Sequence, residues 1–328
     1  MKAVWYDRQG SAAEVLIYGE LPTPEAGPGE VRVQLKASGV NPADCNRRAG
    51  TNHVQEFPRI ITNSDGAGVV DAVGDGADPS WIGRRVWLYN GQRGRAFGTA
   101  AEWIALNAEL VTPLPAEVGF AEGATLGIPC MTAHGCVFRA GPVEGRSVLV
   151  TGGAGAVGHY AVQLAAWAGA RVIATVSSDE KAAHARAGGA EHVINYKTED
   201  VARRVREITD GAGVDHIVEV DFGGNLNAAL SAIRDRGSIA FYASAGARTP
   251  AVPAAELMRR NLSIHGFLLP TSPLEGRRRA QSDITRWLTS GRRILSVAAR
   301  FPLAETALAH EAVERGGKRG TVVVEIPG

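Results

Sequence analysis

The segment Thr151-Gly152-Gly153-Ala154-Gly155-Ala156-Val157-Gly158 holds a G-x-G-x-x-G pattern from Gly153 to Gly158. Before it runs an apolar stretch, Ser147-Val148-Leu149-Val150, and after it a helical stripe of Val157, Ala161, Leu164 and Ala168 that ends at Gly169. In that setting the pattern is one that grips a dinucleotide. The first glycine permits a tight turn, the second lets backbone N–H groups approach a pyrophosphate, and the third lets the helix pack close to the strand. The helix N-terminus adds partial positive charge. A glycine-rich turn that binds nothing is the alternative, against which three further strand and helix units count.

The end of the next strand, Arg171 to Val176, decides which dinucleotide. A carboxylate about twenty residues beyond the glycines would hold a ribose 2′-hydroxyl. The stretch Thr175-Val176-Ser177-Ser178 places none at the strand tip, whereas Ser177 and Lys181 can hydrogen-bond and charge-pair with a 2′-phosphate. NADPH is therefore expected over NADH. The opposing reading is that Asp179 and Glu180 lie close by and that Lys181 is an ordinary solvated lysine of a first helical turn.

These residues must be positioned by alternating strands and helices. After the first unit, Ser177 with Glu180 has the form of a capping box opening a helix that stops at Gly188-Gly189. Strands at Val193-Ile194 and His216-Ile217-Val218 bracket a helix with Val201, Val205 and Ile208 on one face, and Gly237 to Phe241 follows a helix over 226–233. Such alternation is the mark of βαβ units on a parallel sheet. Before about residue 120 the chain instead shows period-two runs, such as Val31, Val33, Leu35 and Ala37, between prolines. They predict a β-barrel or sandwich. Helices are expected around Ile284–Leu288 and Ala304–Val313. A terminal strand, Thr321-Val322-Val323-Val324, is expected to return to the first domain's sheet.

Composition narrows the function classes. A chain of 328 residues, 45% hydrophobic and 21% charged, is long enough for two domains and too apolar for whole-chain disorder. Thirty-five Lys and Arg against 34 Asp and Glu leave a net charge of +1, which offers no footprint for nucleic acid. Cys45, Cys130 and Cys136 are too few for a disulfide framework and form no CxxC pair, as in a reducing compartment. With no signal peptide and no long apolar window, a cytoplasmic protein without membrane partners is expected. Forty glycines, well above the usual ~7%, imply many tight turns.

Other chemistries are weaker. His134, His159, His184, His192, His216, His265 and His310 form no HxxxH or HExxH pair, so each reads as structural rather than as a metal ligand. Tyr242-Ala243-Ser244-Ala245-Gly246 approximates a G-x-S-x-G nucleophile elbow without its first glycine. Arg277-Arg278-Arg279 reads as a solvated basic face.

Further matches are spread along the chain: Ser38-Gly39-Val40-Asn41-Pro42-Ala43-Asp44, Ser64 to Val70, Gly98 to Trp103, Leu126 to Ala133, His192 to Tyr196 and Ala309 to Glu314. With the glycine turn, they give a chain that resembles the zinc-independent quinone oxidoreductase (zeta-crystallin-like) branch of the medium-chain dehydrogenase/reductase superfamily. The resemblance implies an α/β fold with a GroES-like β-barrel catalytic domain, residues 1–122 and 267–328, and a Rossmann domain, a doubly wound parallel sheet binding NADP(H), residues 123–266. It implies an active-site cleft where the two meet.

Carried over by position, the resemblance puts Ser177, Lys181 and Tyr196 around the 2′-phosphate and Gly155 to Gly158 under the pyrophosphate, within a cofactor-binding turn of Gly153, Ala154, Gly155, Ala156, Val157 and Gly158. Asn41 and Thr132 lie near the nicotinamide. Without a metal, the charge that builds on the substrate oxygen falls to a neutral donor, the Asn41 amide, water or the nicotinamide ribose hydroxyl, and Asn41 is the catalytic residue expected. Tyr242, Ala243 and Ser244, and Phe267, Leu268 and Leu269, supply backbone contacts to the nicotinamide half; a plain buried strand is the other reading of the latter three. Where zinc-dependent relatives place a cysteine, a histidine and a second cysteine, this chain has Asn41, Ser64 and Ile128, so no metal is expected. Tyrosines that family members carry near the positions of Asn46 and Asn52, and an aromatic near Cys130, are missing, which thins any platform for a flat quinone ring.

The expected activity is NADPH-dependent reduction of a quinone, probed against an enone or 2-alkenal reductase on the same scaffold. A non-enzymatic nucleotide-sensing or RNA-binding role is the reading from another class. A homodimer is expected, since such domains commonly pair through an edge strand.

Overall fold

The computed structural model describes residues 1–51 and 54–327. In chain order the elements are β1 (Lys2–Tyr6), α1 (Ala12–Val15), β2 (Ile17–Glu20), β3 (Glu30–Val40), α2 (Pro42–Ala49), β4 (Ile60–Ile61), β5 (Asp65–Val73), β6 (Arg85–Leu88), β7 (Trp103–Asn107), β8 (Val111–Pro113) and α3 (Phe120–Gly123). Next come α4 (Met131–Val137), β9 (Ser147–Val150), α5 (Ala156–Trp167), β10 (Arg171–Val176), α6 (Asp179–Ala187), β11 (His192–Asn195), α7 (Val201–Ile208), β12 (Val214–Glu219), α8 (Phe222–Ala232) and β13 (Ile233–Phe241). The chain ends with α9 (Ala254–Arg260), β14 (Ser263–Gly266), α10 (Leu274–Thr289), β15 (Val297–Pro302), α11 (Thr306–Glu314) and β16 (Thr321–Glu325).

Two compact units result, one of residues 1–129 with 295–328 and the other of residues 130–294. The division read from the sequence, at 122/123 and 266/267, stops short of both joins. Helix α10 packs on α4, which carries residues 274–289 into the second unit.

In the first unit, β3 buries Val31, Val33, Leu35 and Ala37 on one face while Arg32, Gln34 and Lys36 stay partly exposed, as the period-two run predicts. Each fully buried Val or Leu contributes about 1.5–3 kcal/mol. A seven-stranded sheet runs β15-β16-β3-β5-β6-β8, with β7 also on β3, beside a three-stranded sheet β2-β1-β4. Strand β16 pairs antiparallel with β3, Val322 opposite Val40, so the chain's end does return to the first sheet.

The second unit is a six-stranded parallel sheet in the order β11-β10-β9-β12-β13-β14. Counted from β9, that is the doubly wound order 3-2-1-4-5-6, whose direction of winding reverses between β9 and β12. Strand β9 is buried throughout and β10 is buried after its first residue, and apart from Ser147, Arg171 and Thr175 both are apolar, as strands covered on two faces require. Ligands of such sheets gather at the carboxyl ends of the strands at the reversal. Among the described residues no helix is long and apolar enough to cross a membrane.

Candidate active site

The glycine turn lies where the sheet's winding reverses, after the last residue of β9. Gly153 N–H donates to the Thr175 carbonyl at 2.9 Å and Gly152 N–H to Thr175 Oγ1 at 3.1 Å, pinning the turn to β10. Gly155 caps α5 without a side-chain acceptor. Among the described residues, the N–H groups of Ala156, Val157 and Gly158 therefore find no acceptor in the protein. A Cβ at Gly158 would stand 2.2 Å from the Gly152 carbonyl oxygen, so only glycine lets the helix come this close to the turn. Ala154 is buried in the turn's floor. Free donors at a positive helix end fit a pyrophosphate.

At the neighbouring strand tip, Lys181 Nζ donates to Ser177 Oγ at 3.0 Å. The expected capping box on Ser177 is corrected by one residue: Ser178, extended at φ −166° and ψ 163°, is the N-cap, and its Oγ accepts from Lys181 N–H. The shift leaves Ser177 outside the helix and its hydroxyl paired with the lysine ammonium. Tyr196 N–H donates to the Val176 carbonyl at 3.1 Å, so Ser177, Lys181 and a half-exposed Tyr196 share one edge. A cation, a hydroxyl and a phenol there, with no carboxylate on the strand tip, suit a phosphate better than a ribose diol.

Glu219, at the end of β12, is the residue that sequence reasoning missed. Its Oε1 accepts from Thr151 Oγ1 at 2.9 Å, Asp221 N–H at 2.7 Å and Asn225 Nδ2 at 2.8 Å. The carboxylate thus ties the residue that opens the glycine turn to the head of α8. Its Oε2 is buried without a partner among the described residues, and burial pushes the carboxyl pKa up. The available signal was an acid directly after Ile217-Val218, at the end of a strand beside the sheet's reversal point.

Tyr242, Ala243 and Ser244 follow β13 on the same edge. Tyr242 N–H reaches the Glu219 carbonyl at 3.3 Å, and the Ala243 carbonyl accepts from Phe222 N–H at 3.0 Å. Ser244 Oγ donates to the Ala247 carbonyl and accepts from Gly223 N–H, which engages the hydroxyl of the rejected nucleophile elbow. Strand β14 ends at Gly266, so Phe267, Leu268 and Leu269 are not a plain buried strand. Phe267 N–H still bonds the Phe241 carbonyl at 2.8 Å, Leu268 is exposed and Leu269 is buried in a short turn of 3-10 helix. Thr132 lies buried in the first turn of α4.

In the first unit, Asn41 is the N-cap of α2 and is buried. Its Nδ2 donates to Asp65 Oδ2 at 2.7 Å, an oxygen that also accepts Ile128 N–H at 2.8 Å. Its backbone N–H donates to Asp44 Oδ2 at 2.9 Å, and Asp44 Oδ1 accepts from Ser64 Oγ at 2.7 Å. Asp44 thus caps the head of α2 through the Asn41 N–H. Asn41, Ser64 and Ile128, the three positions set against zinc ligands, do come together, yet each aims a donor at a carboxylate. A Cβ at Gly127 would lie 2.2 Å from Asp65 Oδ1, so the glycine admits this carboxylate under the chain. Burial and the neighbouring Asp44 hold the Asp65 pKa well above the usual carboxylate range.

His134 pairs with Asp283, His216 with Ser238 and the Cys136 carbonyl, and His310 with Asn63, while His159 stacks on His184. Among the described residues no group of three or more His, Cys, Asp or Glu could hold a metal ion. Asn52, one of the positions lacking a family tyrosine, lies outside the described residues.

Residues 27–116 match the family described as alcohol dehydrogenase GroES-like domain, and residues 156–285 the one described as zinc-binding dehydrogenase. A 2-haloacrylate reductase from Burkholderia sp is 32% identical, with 99% of this chain and 98% of the relative covered. A quinone oxidoreductase from Pseudomonas aeruginosa is 31% identical over 95% of each chain. A mycobacterial protein whose structure was solved with NADPH is 29% identical, covers 99% of this chain and 100% of its own, and superposes with a TM-score of 0.87. By its two matched domains, its doubly wound cofactor sheet and relatives that span it end to end, the chain belongs to the zeta-crystallin-like quinone oxidoreductase branch of the medium-chain dehydrogenase/reductase superfamily.

Proposed function

We propose that this protein is an NADPH-dependent oxidoreductase that reduces a quinone. The observation that carries the reading is the pairing of an uncapped α5 head with the Ser177–Lys181 couple on the adjacent strand tip. The first suits a pyrophosphate, and the second discriminates a 2′-phosphate from a diol. NADPH, when bound, supplies the hydride. The free N–H groups of Ala156, Val157 and Gly158 hold the diphosphate; Ser177, Lys181 and Tyr196 hold the adenosine phosphate. Thr132, the Tyr242–Ser244 backbone and the Phe267–Leu269 backbone are assigned to the nicotinamide half.

Asn41 is assigned the chemistry. One hydrogen of its amide is held by Asp65, and the other is assigned to an oxygen that gains negative charge as hydride arrives. Protons come from solvent, so no side-chain acid is required. Nor is a metal, because an Asn amide, a Ser hydroxyl and an Ile side chain make no good zinc ligand set.

A second reading, reduction of an α,β-unsaturated carbonyl, is favoured by the similarity to a 2-haloacrylate reductase and by the missing aromatics. Steady-state rates with NADPH and 1,4-benzoquinone, 9,10-phenanthrenequinone or a 2-alkenal separate the two. Activity on quinones supports the first, activity on the alkenal alone supports the second, and no NADPH oxidation with any acceptor points to a non-enzymatic role.

The proposal extends to a cytoplasmic homodimer. Three buried free thiols suit a reducing compartment, and β14 is an edge strand whose outer ladder a second copy can pair. Light scattering on the purified chain tests the dimer.

A further inference from the structure

Helix α4, the start of α10 and the segment after β14 line a pocket in the second unit that is open to solvent on one side. It offers about 150 Å³, the size that accepts a benzene ring. Its walls are apolar, chiefly Met131, Phe138, Phe267 and Leu269. The Phe267 ring lies against α4 where Gly135 has no side chain; a Cβ there would be 2.2 Å from the ring. The backbone of Phe267, which the proposed cofactor contacts call on, is separate from the ring that lines this cavity.

Three arginines, Arg139, Arg277 and Arg279, also line it, and no carboxylate does. Arg279 leans on Asp283 at 3.6 Å, and Asp283 is already shared with His134 and Arg286. Arg139 and Arg277 have no acidic partner among the described residues, and Arg277 Nε is buried without an acceptor. A buried donor left unpaired is costly, and a guanidinium fork matches a carboxylate in shape.

We propose that this cavity is a second binding site, for a small aromatic carboxylate. The ring is taken up by the Phe138 and Phe267 walls, and the carboxylate pairs with Arg277 and Arg139. A bare phosphate would leave the apolar walls unfilled, and a neutral ring would leave the buried Arg277 Nε unanswered.

The test is an NMR titration of the full chain with benzoate and, separately, benzyl alcohol. Benzoate should bind saturably and at least about tenfold more tightly than the alcohol. Arg277→Ala and Arg139→Ala should each weaken benzoate about tenfold and leave the alcohol unchanged. Gly276 lines the cavity with open space where a side chain would begin, so Gly276→Leu should fill the site and abolish both while the helix is kept. Saturating NADPH should leave the benzoate affinity as it was. Equal affinity for acid and alcohol, benzoate binding that survives both arginine substitutions, or loss of binding with NADPH overturns the proposal. The first two readouts need no coenzyme, so they stand apart from any failure of the oxidoreductase reading.

Discussion

The Asn41 amide nitrogen donates to Asp65 Oδ2 at 2.7 Å, and the same oxygen receives the Ile128 N–H at 2.8 Å. Because that oxygen is an acceptor for both, the amide must face it with nitrogen, and its orientation is fixed before any ligand arrives. Asp65 therefore acts as a positioning residue for Asn41. Asp65→Ala should lower kcat about 10- to 100-fold while the KM for NADPH changes less than about twofold. Asp65→Asn, which keeps an acceptor oxygen, should restore most of kcat. A uniform loss in both variants, or a rise in the KM for NADPH alone, would remove the positioning role.

The same carboxyl makes stability depend on pH in a definite direction. Its pKa in the folded chain is raised by burial and by Asp44, so folding favours its protonated form. Stability from this group is complete below the ordinary carboxylate pKa and is lost as pH rises towards the folded value, by up to about 1.4 kcal/mol per pH unit. Asp65→Asn cannot lose it. Urea unfolding from about pH 4 to about pH 9 should show the variant gaining on the wild type as pH rises. A gap that stays constant or moves the other way would contradict the assignment.

Glu219 gives a stability prediction tied to the cofactor. Glu219→Ala leaves Thr151 Oγ1, Asp221 N–H and Asn225 Nδ2 without their shared acceptor, which should cost at least about 3 kcal/mol. It should also weaken NADPH binding several-fold, since Thr151 opens the glycine turn. Glu219→Gln keeps the accepting oxygen, and its loss in denaturant titration should be less than half as large. Equal losses would mean that the bonds to Oε1 carry little.

Much of this was legible before the fold was known. Strand β10 matched its expected residues, and β9, α5 and β16 fell where periodicity put them, because their apolar spacing and their glycine stops are local properties. Ser178 displaced Ser177 as the cap because two adjacent serines offer the same hydroxyl, and only the backbone angles choose between them. Asp65 and Glu219 stayed hidden for a different reason. Their partners lie 24, 63 and 68 residues away, at Asn41, Ile128 and Thr151, and no local pattern announces such a meeting.

Burial also predicts the behaviour of the thiols. Cys45 and Cys136 are pushed up to about 12, and Cys130 is raised too, each chiefly by desolvation. At neutral pH almost no thiolate is present. Ellman's reagent should find none of the three thiols on the native chain within minutes and all three in denaturant. Rapid labelling of a native thiol would contradict the packing around α2, for Cys45, or around α4, for Cys130 and Cys136.

The central claim is that the α5 head and the Ser177–Lys181 couple together bind NADPH. Calorimetric titration of the wild type and of Lys181→Ala with NADPH and NADH tests it most directly. The wild type should bind NADPH at least about tenfold more tightly than NADH, and the substitution should weaken NADPH about 10- to 100-fold, the value of a charge-assisted bond, with NADH nearly unchanged. No heat with either coenzyme, or equal losses for both, would contradict it.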